Sequence, residues 1–197
     1  MTKNIKNIAI ITARKNSRRI KNKSTKIFHG KPIIYYTIKA LKKSKIFDKI
    51  FLSTNCLKTI KTSKKYGIKD IIFRKEHYNK NNIGTISVIN SCIRQLKKKK
   101  IYPKFICCNY PASPLTNYRD LRIALNTLKK KKINFIFPVI KINNPDNEKK
   151  KIIKIDQIKK KKGIVNKKFL DAGQFWYAKT KTWINSKTVY DKNSFFL

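Results

Sequence analysis

Ile8–Ser24, IAIITARKNSRRIKNKS, decides how the rest of this chain is read. Ile8, Ala9, Ile10 and Ile11 make an apolar run of strand length, which reads as a short buried strand. The run gives way at Thr12-Ala13 to a loop carrying Arg14, Lys15, Arg18, Arg19, Lys21 and Lys23 around the small polar pair Asn16-Ser17. A first strand that delivers cations, amides and a hydroxyl to its C-terminal edge is how α/β proteins build polyphosphate pockets, because ligands collect outside the carboxyl ends of the strands. The segment is not a P-loop, since the spacing G-x-x-x-x-G-K-[ST] is absent. On these residues alone, the other reading is a basic surface loop after a core strand.

Working outward, apolar runs of strand length alternate with amphipathic segments. Lys31-Pro32 is expected to open a helix over about 33–43, with Pro in the first turn where its missing N–H costs nothing. A second strand is expected over Lys49–Thr54 (KIFLST), then a helix over 57–66 closed by Gly67. Asp70–Phe73 reads as a third strand. Thr85–Lys98 carries Ile86, Ile89, Ile93 and Leu96 at helical spacing. Further strands are expected over 105–110 and 134–142, with a helix over 118–130 between them. Alternation of this kind argues for βαβ units and a largely parallel sheet covered on both faces. Segment 143–168 differs: it is polar, Lys-rich and weakly periodic, an excursion from the main domain. Phe169–Lys179 (FLDAGQFWYAK) returns to aromatic, strand-like character, and Phe175, Trp176 and Tyr177 are expected in the core.

A chain of 197 residues is long enough for one well-buried α/β domain and too short for two comfortable ones. The net charge of +41 has two explanations: a polyanion-binding protein, or a lysine-rich coding bias of an AT-rich gene. The second is favoured, because the Lys tracts at 97–100, 129–132 and 159–162 fall where elements end, and such runs are solvated surface. Arg, the residue that reads bases bidentately, is scarce. Aromatics are not interleaved with the Lys tracts as a single-strand platform requires, so specific nucleic-acid binding is not expected. Cys56, Cys92, Cys107 and Cys108 show no C-x-x-C spacing and are read as core thiols, with nothing to suggest oxidative folding. No signal-peptide core or membrane-length run is seen, so a soluble cytoplasmic protein with no membrane partner is expected.

The pattern A-R-x-N-S followed by Lys23 resembles the nucleotide-binding loop of the cytidylyltransferases that make CMP-activated sugar acids. Further segments match in the family's order: HGKPII (29–34), LSTN (52–55), Tyr66-Gly67, Gly84-Thr85, YPASPL (110–115) and FPV (137–139). The most selective is DAGQFWY (171–177), which resembles the pseudaminic acid branch of that family, as does Tyr110 before its Pro. The resemblance covers nearly the whole chain and is weakest over 143–168.

It implies a three-layer, Rossmann-like nucleotidyltransferase fold with a mostly parallel central sheet. The implied reaction is attack by a nine-carbon sugar acid on the α-phosphorus of CTP, releasing pyrophosphate. The implied site has Arg14 and Lys23 as catalytic cations, since a guanidinium fork bridges phosphate oxygens and Lys acts as a mobile point charge. Ala13, Asn16, Ser17, Asn55, Tyr110, Pro111 and Ser113 would complete the nucleotide site, and Asp171, Gly173 and Gln174 would serve the sugar. Mg²⁺ is implied as cofactor, with Asp171 as the one acid in a matched motif. A homodimer through 143–168 is also implied. Alternatives are another sugar acid of the sialic or legionaminic type, and a truncated inactive member. The chain departs from the family at Lys15-Asn16, at Lys23-Ser24 and at Asn55, where an Asp is expected. It stops at Leu197, where the family continues into an acidic "DIDT-x-E-D-W" segment. A C-terminally short domain that binds nucleotide better than it turns it over is therefore expected.

Overall fold

The computed structural model describes residues 5–15, 20–79, 83–141, 169–190 and 193–197. Its centre is strand β1 (Asn7–Thr12), where Ile8, Ala9, Ile10 and Ile11 are all fully buried. Their alternation sorts them: Ala9 and Ile11 join one core, Ile8 and Ile10 the other. A continuous apolar run is what a strand covered on both faces demands.

Beside β1 run β4 (Lys49–Thr54) on one flank and β6 (Phe105–Asn109) on the other, with β5 (Asp70–Phe73) outside β4, all parallel. Beyond β6 comes β10 (Phe175–Lys179), antiparallel, then β7 (Phe135–Phe137) and β11 (Phe195–Phe196). The seven strands stand in the order β11-β7-β10-β6-β1-β4-β5. The expected mostly parallel sheet is present, with β10 as the reversed strand. Cys107 and Cys108, adjacent in β6, fall into opposite cores. With Cys92 they are buried, and none of the four cysteines is in a disulfide.

Helices α1 (Ile34–Ser44) and α4 (Tyr118–Lys130) cover one face through Ile34, Ile38, Leu41, Leu121, Ala124 and Leu128. Helix α3 (Thr85–Lys98) and the short α5 (Thr180–Asn185) cover the other through Ile89, Ile93, Leu96 and Trp183. Trp183 is fully buried and donates its Nε1 hydrogen to the Ile106 carbonyl at 3.0 Å. Truncating such a side chain to Ala costs about 3–5 kcal/mol. Helix α2 (Leu57–Lys65) ends at Gly67, whose φ of +79° lets the chain reverse, with its N–H bonded to the Lys64 carbonyl at 2.9 Å. No helix among the described residues is long and apolar enough to cross a membrane.

Two expectations change. The run 134–142 is not one strand, because Pro138 has no N–H to continue the ladder. β7 ends before it, and β8 (Val139–Lys141) leaves to pair antiparallel with β9 (Phe169–Asp171) in a separate ribbon. The Pro138 carbonyl still accepts from Ala172 N at 3.0 Å, so the break is pinned rather than loose. Pro32 likewise sits upstream of its helix: it pairs with Ile27 in a hairpin of β2 (Ile27–Phe28) and β3 (Lys31–Pro32), and α1 begins at Ile34. The excursion read over 143–168 lies outside the described residues.

Candidate functional site

The parallel strands β1, β4, β5 and β6 end together, and the first residues after them are Ala13, Asn55, Arg74 and Tyr110. Between these ends lies a cleft of about 450 Å³. Arg14, Lys23, Ser24 and Thr12 form its wall on the side of the first loop, and Arg74 its floor beyond β5. Tyr110, Pro111, Ala112 and Gly173 face them, while Ile83, Thr85 and Val88 close the end at the start of α3. None of these described lining residues is acidic. Gly84 precedes α3 with extended backbone and offers no side-chain cap, so the first-turn N–H groups beside Thr85 add positive potential at the cleft.

Arg74 is the residue that sequence reading missed. It is 8% exposed, yet its Nε has no hydrogen-bond partner among the described residues. Burial first, and the Arg14 charge besides, pull its pKa down from the ordinary value. Two guanidinium groups gathered without an acid on the wall make a site that an incoming polyanion would relieve. The available signal was positional: Arg74 is the first residue after an apolar run, at the edge where α/β proteins bind ligands. Thr12 and Ser24 were given no site role either, since a lone hydroxyl carries no such signal, and Thr85 was matched within Gly84-Thr85 without being assigned one.

The loop after β6 is tied on both sides. Thr37 Oγ1 donates to the Tyr110 carbonyl at 3.1 Å, and Tyr110 N donates to the Gln174 carbonyl at 3.0 Å. Ser113 is buried and spends its Oγ hydrogen on the Gly173 carbonyl at 3.2 Å, so it braces the wall. The Tyr110 ring meets Trp176 edge-on at 4.8 Å, and burial, then Cys108 and Asp171, push its hydroxyl well above the usual phenol range. Phe175, Trp176 and Tyr177 are core residues as expected.

Of the other residues implied by sequence, Arg14, Lys23, Tyr110, Pro111 and Gly173 do line the cleft, and Ala13 is buried directly behind it. Asn55 is not on its wall: its Nδ2 donates to Glu76 Oε2 at 2.5 Å. Gln174 contributes its main chain to Tyr110, while its buried Oε1 has no partner among the described residues. Asn16 and Ser17 lie outside the described residues.

Asp171 closes β9 and is engaged at both oxygens. Oδ1 accepts from Gly173 N at 2.7 Å and Oδ2 from the Tyr190 hydroxyl at 2.8 Å. Burial raises its pKa, opposed by those two donors and, last, by the Trp176 side chain. Among the described residues no three of His, Cys, Asp and Glu are grouped so as to hold a metal ion. Mg²⁺ is commonly held through one or two carboxylates together with substrate phosphates.

Residues 8–179 match the family described as Cytidylyltransferase. The chain belongs to that family. It is thus a nucleotidyltransferase. Over 198 aligned residues it is 28% identical to a pseudaminic acid cytidylyltransferase of Campylobacter jejuni subsp. jejuni, covering 96% of this chain and 85% of that one. It is 25% identical to a CMP-N,N'-diacetyllegionaminic acid synthase of Legionella pneumophila, over 62% of this chain and 53% of the relative. In fold it is similar to a CMP:2-keto-3-deoxy-manno-octonic acid synthetase complexed with CTP, with a TM-score of 0.68 at 11% identity, over 98% of this chain and 90% of that one.

Proposed function

We propose that this chain transfers CMP from CTP to pseudaminic acid, a nine-carbon α-keto sugar acid, and releases pyrophosphate. The observation that carries the reading is the cleft at the strand ends, where Arg14, Lys23 and Arg74 meet with no acidic residue on the described wall. Similarity to the Campylobacter enzyme over 96% of the chain supports the choice of sugar acid.

In this reading the anomeric hydroxyl of the sugar acid gives up its proton to solvent and its oxygen attacks the α-phosphorus. The bond from that phosphorus to the bridging oxygen of the β-phosphate breaks, and pyrophosphate leaves. Phosphoryl transfer of this kind depends on positioning and charge neutralisation more than on covalent help. Arg14 and Arg74 hold phosphate oxygens with guanidinium forks, and Lys23 follows the charge that gathers on the leaving pyrophosphate. Thr85 and the start of α3 add N–H and hydroxyl donors. The sugar acid sits against Gly173 and the Tyr110–Ala112 loop, with Asp171 and Gln174 behind. Mg²⁺ belongs to the proposal as the counter-ion carried on the triphosphate, and no step is assigned to it.

The reading includes a homodimer through 143–168, a cytoplasmic location beside the CTP pool, and no specific nucleic-acid or membrane partner. Light scattering at moderate salt tests the dimer, which a monomer at high micromolar concentration would exclude. The main test incubates the purified chain with CTP, Mg²⁺ and pseudaminic acid, following pyrophosphate release and the mass of the product. Formation of CMP-pseudaminic acid is expected. Turnover only with a legionaminic or sialic acid would reassign the acceptor, and no turnover with any of them would overturn the reading.

A further inference from the structure

Tyr190 lies beyond the family match at residues 8–179 and outside the cleft wall, yet its hydroxyl reaches the site. We propose that Tyr190 is a positioning residue that fixes the Asp171–Gly173 turn, and through it the wall against which the sugar acid binds. The substrate named for that wall rests on the reading given above; the mechanical link does not.

The link is a chain of hydrogen bonds. Tyr190 donates to Asp171 Oδ2 at 2.8 Å, and the other oxygen of the same carboxylate accepts from Gly173 N at 2.7 Å. Gly173 has φ of +63°, a left-handed conformation that costs a glycine little, and its carbonyl accepts from Ser113 Oγ at 3.2 Å. The next carbonyl, of Gln174, accepts from Tyr110 N at 3.0 Å. The orientation of the Asp171 carboxylate therefore sets where Gly173 and the Tyr110 loop stand on their shared wall of the cleft.

Tyr190 is itself held. Its ring meets Phe137 edge-on at 5.6 Å, and its N–H donates to Thr188 Oγ1 at 3.1 Å. Val189 before it is buried in the core, and the Val189 carbonyl accepts from Ser194 Oγ at 3.1 Å. Asp171 is half-buried, and loss of one donor leaves part of its carboxylate uncompensated. Removal of the hydroxyl frees the carboxylate to rotate and loosens Gly173.

Tyr190→Phe in the full 197-residue chain keeps the ring and removes the donor. Deuterium exchange at the Gly173 amide is expected to quicken by about tenfold, the scale of one hydrogen bond to a charged group. KM for pseudaminic acid is expected to rise by about tenfold, while the Kd for CTP stays within about twofold. In an Asp171→Asn background the same change should add less than about twofold, because partners in one network are not additive. Unchanged exchange at Gly173 would overturn the proposal, as would equal losses for CTP and sugar acid, which mark a general structural role. If Tyr190→Phe does not fold, Asp171→Ala, which removes the carboxylate that joins Tyr190 to Gly173, is read at the same amide, and unchanged exchange there has the same consequence. If the wild-type chain turns over no sugar acid, the substrate reading fails and the Gly173 exchange alone decides the role of Tyr190.

Discussion

Asn55 and Glu76 are joined across the strand ends by an Nδ2–Oε2 hydrogen bond of 2.5 Å. Asn55 follows β4, and Glu76 opens the short helical turn (Glu76–Asn79) after β5, so the amide ties two adjacent loops together. Sequence resemblance called for a carboxylate at position 55. With Glu76 in contact, a carboxylate there would meet another of the same sign, and the amide is the residue that fits.

Asn55→Asp is accordingly expected to destabilise the fold at neutral pH by about 0.2–1 kcal/mol, the range for exposed charge pairs. The loss should shrink at high salt and vanish in the double variant with Glu76→Gln. CTP affinity should not change, because Asn55 is off the cleft wall. Denaturant titration of the three variants measures the first effect and calorimetry the second. A clear drop in CTP affinity on Asn55→Asp would put position 55 in the nucleotide site.

Arg14→Ala is expected to weaken CTP binding by about 1.5–3 kcal/mol, the span for a hydrogen bond to a charged group. Arg14 lines the cleft opposite the Tyr110 loop, so the loss should appear in affinity rather than in stability. Calorimetry with CTP and ATP checks this, and equal binding of the two nucleotides would contradict a cytidine site.

How much was legible before the structure follows from the physics of each segment. β1 and the boundaries of β4, β5, α3 and α4 were readable because apolar period and length agree there. The stretch 134–142 was misread because two short apolar runs flank Pro138, and only its lost donor divides them between two sheets. Arg14 and Lys23 were found through a local motif and do line the cleft. Arg74 and Tyr190 were not found, since each acts through tertiary placement: one by burial among strand ends, the other by a bond to Asp171 across 19 positions.

Arg74→Met separates binding from folding. Met has similar reach and fills the same space without a charge; even replacing a buried ion pair with apolar residues of like volume is often neutral or stabilising by about 1–4 kcal/mol, and a buried charge with no acidic partner on the described wall has less attraction to lose. Here the guanidinium is buried beside Arg14 with its Nε unmatched among the described residues, so Tm should hold or rise. CTP affinity should fall all the same, by at least the span expected for Arg14→Ala. Thermal unfolding and calorimetry on one sample decide the matter. A lower Tm with unchanged CTP affinity would make Arg74 a structural residue.

The pH dependence of stability should carry a signature of Asp171. Its folded-state pKa stands above the ordinary value because burial outweighs the Gly173 and Tyr190 donors and the Trp176 side chain. The folded chain then binds more protons than the unfolded chain between those two values, and this contribution falls as pH rises through the folded pKa. It is fully present only below the unfolded value. Tyr110 and Tyr190 beside it are pushed up out of this range, and the Cys108 thiol to about 12, so none of them titrates in the same window. In Asp171→Asn the amide oxygen can still accept from Gly173 N, and no charge is buried. Relative to wild type, the variant should therefore gain stability between pH 4 and pH 7. Urea titrations of both chains at several pH values give that difference directly, and a difference that stays constant across the range would show that Asp171 titrates as an ordinary exposed carboxylate.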